Sequence, residues 1–250
     1  SLNDFLYQWA NNGGELYSSK NVINILLVGL DSKDALINGG RSDSLILVSL
    51  NKKTEKISMC SFFRDSWCYM NVAGKDSYAK INSSYLYGGP DALIDTIEKN
   101  FKIDIDHYVA VDFSSFRDII DALGGITVEV QEYEANYINR TNPDFHIEPG
   151  PAVKLTGKQA LVFARIRKSD YDSDVSRTRR QRQVIEGLMN GVKDLPVSKY
   201  PKLLDTILPY VKTNMKPTEI IGLAGKVLGI GNLSITQIEF PFENASTPVT

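Results

Sequence analysis

The sequence is poor in the residues on which most metal, redox and nucleophilic sites depend. It contains only two cysteines and two histidines in 250 residues. His107 and His146 lack partners at metal-ligand spacing, and Cys60 and Cys68 fit two free thiols better than a disulfide. There is no Gly-x-Ser-x-Gly motif and no phosphate-binding Gly-Lys-Ser/Thr loop. These absences argue against a zinc enzyme, a hydrolase with a nucleophile elbow and a P-loop nucleotide hydrolase.

Neither the net charge nor any apolar run is extreme. The formal net charge is −2 at pH 7, so the overall field gives no reason to expect nucleic acid as a partner. No apolar run is long enough to span a bilayer, and no signal-peptide pattern is present. The apolar and charged contents, 42% and 23%, are ordinary for a globular protein with one large core. We therefore expect a single domain.

Alternating predicted strands and helices indicate an α/β fold. The branched apolar run Val22–Leu30 predicts a strand that is buried on both faces. The stretch at 131–150 is polar and aperiodic, which predicts an insertion or a long loop. We expect a central mixed β-sheet covered by helices on both faces, as an α/β/α sandwich. The other predicted strands are 44–50, 56–62, 67–72, 107–112, 126–130 and 234–240, and the predicted helices are 88–101, 114–123, 157–164, about 176–192, 199–211 and 217–228.

Two aspartates stand at the ends of neighbouring predicted strands. Asp31 ends the first strand and Asp43 begins the second, so pairing of these strands would bring both carboxylates to one edge of the sheet. Two carboxylates with few other ligands suit Mg²⁺, which keeps several waters and takes phosphate oxygens as its remaining ligands. The alternative is that each aspartate only ends a strand or forms a turn, the common role of a single aspartate.

Arginines recur downstream of these aspartates. Arg64 follows a predicted strand and stands beside Asp65, which could fix the guanidinium for a ligand or form an ordinary surface pair. Carboxylates that hold a hard cation, combined with several arginines, are what a phosphate or pyrophosphate site requires. The densest cationic stretch comprises Arg165, Arg167, Arg177, Arg179, Arg180 and Arg182.

The later arginines of this stretch fall in the first turns of a predicted helix that begins near Ser176. Free backbone amides and the helix dipole favour anions in those turns. Helical spacing puts Arg177, Arg180 and Gln181 on one face, and Arg179 and Arg182 are expected to point elsewhere, to solvent. One alternative is a solvated basic helix face. Another is a DNA contact, although the run has neither interleaved aromatics nor a DNA-binding motif.

Taken in order, the segments resemble the LytR-CpsA-Psr family of cell-wall glycopolymer transferases. The likeness covers about residues 22–189 and keeps the order of the family's motifs. It departs from the family pattern at Phe62 and Phe63, where Ile-Pro is common, at Cys68, and at 131–151. The matching stretches are NILLVGLD (24–31), GGRSDSLIL (39–47), FFRD (62–65), KIN (80–82), GGP (88–90), IDHYVAVDFSSF (105–116), DALGGITVEV (121–130), LTGKQALVFARIR (155–167) and DVSRTRRQRQV (174–184).

The resemblance implies a phosphotransferase that moves a glycopolymer from an undecaprenyl-pyrophosphate carrier to a hydroxyl of peptidoglycan. It implies Mg²⁺ at Asp31 and Asp43, and an apolar cavity for the polyprenyl tail between the sheet and the helices. Asp43 and Asp65 are the candidates for a general base. By the same resemblance the catalytic residues are Arg64, Asp65, Arg177 and Arg180, and the pyrophosphate ligands are Arg41, Arg64, Arg165, Arg167, Arg177, Arg180 and Gln181.

The resemblance also implies a domain tethered to the outer face of the bacterial cell membrane. We expect residues 1–21 to form a tail or linker after an anchor that precedes Ser1, and residues 22–250 to form the catalytic domain. The expected partners are the lipid-linked glycan, peptidoglycan and the membrane, without nucleic acid. Two alternatives stay open: a hydrolase of lipid pyrophosphates, and a non-enzymatic, DNA-binding regulator of transcription. Asp31 and Asp43 weigh against the regulator, because carboxylates beside its arginines would repel DNA.

Overall fold

The computed structural model of this chain describes residue 16 and residues 18–31, 35–166, 173–229 and 235–240. The strands in this part of the chain are β1 (Val22–Leu30), β2 (Ser42–Asn51), β3 (Lys56–Phe62), β4 (Trp67–Val72), β5 (Lys75–Lys80), β6 (His107–Val111), β7 (Ile126–Val130), β8 (Gly150–Leu155), β9 (Lys212–Thr213) and β10 (Ile235–Phe240). The α-helices are α1 (Ala35–Asn38), α2 (Asn82–Phe101), α3 (Phe113–Ala122), α4 (Glu132–Thr141), α5 (Gly157–Arg165), α6 (Ser173–Lys193), α7 (Tyr200–Ile207) and α8 (Pro217–Gly229). Short 3-10 turns lie at Val197–Lys199 and Leu208–Tyr210.

Six strands form the central sheet, in the order β10-β3-β2-β1-β6-β9. The β1 strand runs antiparallel to β2 and parallel to β6, while β3 runs antiparallel to β2 and parallel to β10. The sheet is therefore mixed, and the predicted α/β fold is confirmed. Because β1 and β2 are antiparallel neighbours, the end of the first and the start of the second lie at one edge, as the two aspartates require.

One face of this sheet packs on α2. Side chains alternate between the two faces along a strand, so Leu26, Val28 and Leu30 of β1 all enter the same buried cluster. Leu93 and Ile97 of α2 cover them. The helix begins earlier than predicted, at Asn82, and its geometry is interrupted at Gly88 and Gly89. Gly89 has a φ of +68°, a conformation that favours glycine, so the Gly-Gly-Pro motif marks a break within α2 and not its start.

A two-stranded hairpin, β4–β5, extends this layer next to α2. Cys68 and Met70 of β4 are buried, and the Asn100 side chain of α2 bonds both backbone groups of Tyr69. These contacts fix the hairpin to the helix. The β4 strand was predicted and β5 was not. Cys60 and Cys68 do not form a disulfide with each other, as expected.

A second hydrophobic cluster lies among β7, β8 and the helices α3 to α6. The prediction of a loop at 131–150 is wrong, because this stretch contains the whole of α4 and the first residue of β8. The inner side of α4 carries Ala135 and Ile138 together with a fully buried Glu134. A buried carboxylate interrupts the apolar period, so hydrophobicity alone hid the helix.

Most of the predicted N-terminal tail, residues 1–15, lies outside the described residues, so that boundary stays a prediction. None of the helices in the described part of the chain is long and apolar enough to cross a membrane.

Candidate active site

A cavity of about 880 Å³ lies between the central sheet and the helices on its second face. Its floor is formed by strand positions that alternate with the core residues, such as Leu27 of β1, Ile46 of β2 and Val109 of β6. The helices α3, α5 and α6 supply most of the opposite wall. Its apolar lining includes Leu27, Ile46, Val109, Val111, Phe116, Ile119, Leu161, Val162, Val184, Ile185, Leu188, Met189, Ile207 and Val211.

The polar lining of the cavity comes from one edge of the sheet and from the facing helices. Asp31 follows β1, Asp43 is the second residue of β2, and Asp112 follows the parallel strand β6. Arg165 at the end of α5 and Arg177 and Gln181 of α6 join the lining. An amphipathic cavity of this kind suits a ligand with a long apolar part and a polar head.

Backbone contacts across the end of the β1–β2 pair hold Asp31 in place. The Asp31 amide donates to the Arg41 carbonyl at 3.0 Å, and the Arg41 amide donates to the Asp31 Oδ1 at 3.1 Å. The Arg41 side chain is exposed and Arg41 does not line the cavity. In this structure Arg41 therefore positions the aspartate through its backbone, and its predicted role as a pyrophosphate ligand stays a prediction.

The absence of a side chain at Gly29 leaves room for Ser44, whose hydroxyl connects the sheet to α6 beside the aspartates. A Cβ at this position would lie 3.0 Å from the Ser44 Cβ. The Ser44 hydroxyl donates to the Gln181 Oε1 at 2.9 Å, which joins β2 to α6. A side chain at position 29 would displace Ser44 and with it the support of Gln181.

Arg64 and Asp65 belong to a chain of alternating charges at the mouth of the cavity. Arg64 Nη1 lies 2.9 Å from the Asp43 Oδ1, and its Nε lies 3.6 Å from the Asp65 Oδ2. Asp65 also pairs with Lys80 Nζ at 2.8 Å. These ion pairs fix the Arg64 guanidinium between the carboxylates of Asp43 and Asp65, and Asp43 lines the cavity.

The charges around Asp65 also set its protonation. Partial burial acts to raise the pKa of its carboxyl, but the hydrogen bond from Lys80 and the charges of Lys80, Arg64 and Arg177 outweigh this and hold the pKa below its ordinary value. A carboxylate with a low pKa is a weak proton acceptor, so these surroundings disfavour Asp65 as the general base.

Two further arginines of the predicted set stand at the cavity. Arg177 is buried and lines it, and its charge reaches Asp65. The guanidinium carbon of Arg165 lies 4.2 Å above the ring centroid of Phe113, a cation–π contact that orients an otherwise exposed side chain. Arg167 lies outside the described residues. The structure thus brings together Asp31, Asp43, Arg165, Arg177 and Gln181 at the cavity, with Arg64 and Asp65 beside Asp43.

Arg180 lies elsewhere. It is fully buried, does not line the cavity, and donates to the Glu134 carboxylate, the Tyr133 hydroxyl and the Ile166 carbonyl. Arg179 pairs with the same Glu134. The sequence predicts that Arg180 shares a helix face with Arg177 and points toward the ligand. In the structure its guanidinium instead contacts Glu134, a buried counter-charge on another side of α6.

Arg182 is buried too, so the expectation that it points to solvent is wrong. Arg179, placed with it in that expectation, is partly exposed and held by Glu134.

The model of the LytR-CpsA-Psr family matches residues 8–248, nearly the whole chain. The chain belongs to this family. A relative from Bacillus licheniformis, named polyisoprenyl-teichoic acid–peptidoglycan teichoic acid transferase TagU, is 38% identical over 76% of this chain and 59% of its own length. A protein of the same name from Oceanobacillus iheyensis is 36% identical over 90% of this chain and 68% of its own length.

Solved structures of the family share the fold. One that is described as TagT bound to LI-WTA superposes with a TM-score of 0.72 at 27% identity, over 91% of this chain and 83% of that one. The present chain spans only 59% of the length of the Bacillus licheniformis relative.

The residues of this LytR-CpsA-Psr chain fit a Mg²⁺ ion through Asp31 and Asp43, two of the three aspartates that line the cavity. One carboxylate oxygen of Asp31 accepts a hydrogen bond from the Arg41 amide, and one of Asp43 accepts from the Arg64 guanidinium. Among the described contacts, the second oxygen of each carboxylate is left for a cation. No group of three or more acidic, histidine or cysteine side chains that could hold a metal is present in the described residues. Two carboxylates still suffice for Mg²⁺ when phosphate oxygens and waters complete its octahedron.

Sequence reasoning missed three positions that matter to this site. Phe113 orients Arg165 through a cation–π contact, and Lys80 forms an ion pair with Asp65. Glu134 forms ion pairs with Arg179 and Arg180. Only Glu134 had a signal: it stands three residues after Gln131, and its carboxylate accepts from the Gln131 amide at 2.9 Å as in a helix-capping box. The other two contacts join segments that are distant in the sequence.

Proposed function

We propose that this chain is the catalytic domain of a phosphotransferase that moves a teichoic acid or related glycopolymer from a polyprenyl-pyrophosphate carrier to peptidoglycan. The observation that carries the proposal is a deep apolar cavity whose mouth gathers Asp31, Asp43, Arg165 and Arg177. The apolar part suits a polyprenyl chain, and the mouth suits a pyrophosphate. The names of the curated relatives support the donor and the acceptor.

In the proposed reaction an acceptor hydroxyl attacks the sugar-linked phosphorus. The new oxygen–phosphorus bond forms as the bridging bond of the pyrophosphate breaks, and polyprenyl phosphate leaves with the bond's electron pair. Arg177 and Arg165 face the growing charge on the phosphate oxygens, and Arg64, fixed by Asp43, stands beside them. A bound Mg²⁺ at Asp31 and Asp43 would supply Lewis-acid stabilisation of the same charge.

The attacking hydroxyl must lose its proton to a base. Asp43 and Asp65 were the candidates, and the low pKa of Asp65 weakens its case. Asp43 is the remaining candidate to accept this proton, through the carboxylate oxygen that does not hold Arg64.

The two alternative functions relate differently to this geometry. A hydrolase of lipid pyrophosphates would use the same cavity and differ only in taking water as the acceptor. A DNA-binding regulator requires exposed cations along α6, whereas Arg177, Arg180 and Arg182 are all buried. Burial of three arginines of this run argues against the regulator.

Transfer is tested by incubating the protein with a lipid-linked glycopolymer and purified peptidoglycan. We expect glycopolymer covalently attached to the peptidoglycan and release of polyprenyl phosphate. Free glycopolymer phosphate without attachment would instead identify the hydrolase. No turnover and salt-sensitive binding of duplex DNA would identify the regulator.

The metal proposal is tested with Asp43→Ala. We expect loss of Mg²⁺-dependent turnover with the fold retained, because Asp43 lies at the cavity rim and is half-buried. Asp205→Ala, which removes an exposed carboxylate from α7, is the matched control and should behave as the wild type. Wild-type turnover of Asp43→Ala with Mg²⁺ would show that the assignment is wrong.

We further propose that a membrane anchor precedes Ser1 and places this domain on the outer face of the cell membrane. The support is chemical: a polyprenyl-linked substrate resides in the bilayer, and tethering raises its local concentration. The upstream coding sequence and protease accessibility in intact cells are the measurements. A cytoplasmic product without an upstream apolar segment would contradict both the anchor and the transferase.

A further inference from the structure

The outward face of the β4–β5 hairpin exposes aromatic rings to solvent. Residues directly paired across antiparallel strands point to the same face, so Trp67 with Lys80, and Tyr69 with Tyr78, share one side of the hairpin. Trp67 is 57% exposed and Tyr78 is 66% exposed. The opposite side, with Cys68 and Met70, is buried, which leaves this side without a partner in the described chain.

The rings on this face are held in fixed positions. The ring centroids of Tyr69 and Tyr78 are 5.6 Å apart at 67°, an edge-to-face pair. The Tyr69 hydroxyl donates to the Asp76 Oδ1 at 2.7 Å, and the Asn71 amide donates to the same carboxylate. Because Asn100 also fixes the Tyr69 backbone to α2, a ligand would meet a preorganised surface.

This face leads directly to the mouth of the cavity. Lys80, the cross-strand partner of Trp67, forms the ion pair with Asp65, and Asp65 contacts Arg64. Trp67 itself is two residues from Asp65. A ligand that lies along the hairpin with one end at Lys80 therefore ends beside Arg64 and Asp43, where the proposed transfer takes place.

We propose that this face is a docking platform for the glycan strand of the acceptor, and this inference rests on the proposed function. The axial C–H groups of a pyranose ring pack on the electron-rich face of an aromatic ring. Its hydroxyls pair with polar groups at the ring edge, which Asn71, Asp76 and Lys80 provide.

The charges of the platform distinguish a glycan from other occupants. Asp65 and Asp76 carry negative charge beside these rings, and Lys80 and the neighbouring Lys99 carry positive charge. A protein surface that binds single-stranded nucleic acid or an anionic lipid surface carries mainly positive charge. A hydroxyl-rich ligand makes use of both signs.

The first arm of the test measures binding. The probe is a soluble oligomer of β-1,4-linked N-acetylglucosamine, titrated into wild type, Trp67→Ala, Tyr78→Ala and Tyr87→Ala. Tyr87 is the matched control, an exposed tyrosine on α2 and not on the hairpin. We expect each platform variant to weaken binding about tenfold, the order of loss when an aromatic anchor is truncated. The control should bind as the wild type, and equal losses in all three variants would overturn the platform.

The second arm measures transfer. In the platform variants we expect a higher KM for peptidoglycan and an unchanged KM for the lipid-linked donor, with wild-type thermal unfolding. An unchanged acceptor KM in an active enzyme overturns the platform and leaves the proposed function intact. If the wild type transfers nothing, the proposed function fails, and the binding arm alone then decides whether this face takes a glycan. Loss of binding to phosphatidylglycerol vesicles, with glycan binding retained, would identify a membrane contact and overturn the proposal.

Discussion

The two sides of helix α6 use the same residue type for different purposes. Arg177 and Gln181 line the cavity. Arg179 and Arg180 contact Glu134, a fully buried carboxylate that belongs to the protein itself. Neighbouring arginines of one run are thus divided between a side that lines the cavity and a side that contacts Glu134. What divides them is the partner that each meets.

The side of α6 that contacts Glu134 also supports the cavity. Arg180 donates to the carbonyl of Ile166, the residue directly after Arg165. Arg165 stands at the cavity over Phe113. Arg180, held by Glu134, therefore connects α6 to the end of α5. This contact fixes the backbone next to Arg165.

The largest effect is expected from Glu134→Ala. It leaves the fully buried Arg180 without its counter-charge, and removal of one partner from a buried pair typically costs about 3–5 kcal/mol of stability. Arg179→Ala should cost about 1 kcal/mol or less, because the Arg179 side chain is 29% exposed and solvent screens its pair. Denaturant unfolding of both variants measures the difference. Equal losses would remove the distinction between the buried and the exposed arginine.

Arg177→Ala should show the opposite pattern. Removing a charged donor from a phosphate typically costs about 2–5 kcal/mol of binding, so affinity for a polyprenyl pyrophosphate should fall by orders of magnitude. Its loss of stability should be smaller than that of Glu134→Ala, and Arg179→Ala should bind within a few-fold of the wild type.

Arg180→Ala decides between its two roles. We expect any loss of affinity in this variant to accompany a loss of stability, because Arg180 contacts Glu134 and the Ile166 carbonyl and does not line the cavity. A stable Arg180→Ala protein that cannot bind pyrophosphate would restore it to the ligand set that the family resemblance implies. Calorimetric titration beside thermal unfolding separates the outcomes.

The smallest effect concerns Lys80→Ala and the pH response of Asp65. The pKa of Asp65 is lower when folded than when unfolded, so its stabilising contribution is present above its ordinary pKa of about 3.9 and is lost as the pH falls through the folded value. Without Lys80 the folded pKa should move up toward the ordinary value and this acid-side contribution should shrink. NMR titration of the carboxyl carbon is the measurement. An unmoved midpoint would show that Arg64 and Arg177 alone set it.

Strands and long helices were predictable where apolar residues follow a clean period. The β3, β4 and β7 strands have the predicted bounds, and the mixed sheet and the family are confirmed. The meeting of Asp31 and Asp43 at one edge also followed from the sequence, because consecutive strands usually pair. Helix α4 did not follow, since its buried face includes Glu134.

The orientation of the arginines was less predictable. Helical spacing groups residues by face, but it does not say which face meets the ligand and which meets a carboxylate from another helix. Arg180 illustrates this, since Glu134 is 46 residues away in the sequence. The cavity lining was hidden for a related reason: Leu27 and Leu26 look alike in the sequence, yet one lines the cavity and the other the core.

Under the proposed function, the cavity between the sheet and the helices would link the stability of this fold to the bound lipid. A ligand that binds only the folded state stabilises it by RT ln(1 + [L]/Kd), so the unfolding temperature should rise with the amount of polyprenyl pyrophosphate. Each buried CH₂ group contributes about 0.8 kcal/mol, so longer prenyl chains should protect more until the cavity of about 880 Å³ is full. The prenyl chain length beyond which the unfolding temperature stops rising would then measure the depth of the cavity. The unfolding temperature would also report what fraction of the protein molecules have a lipid bound.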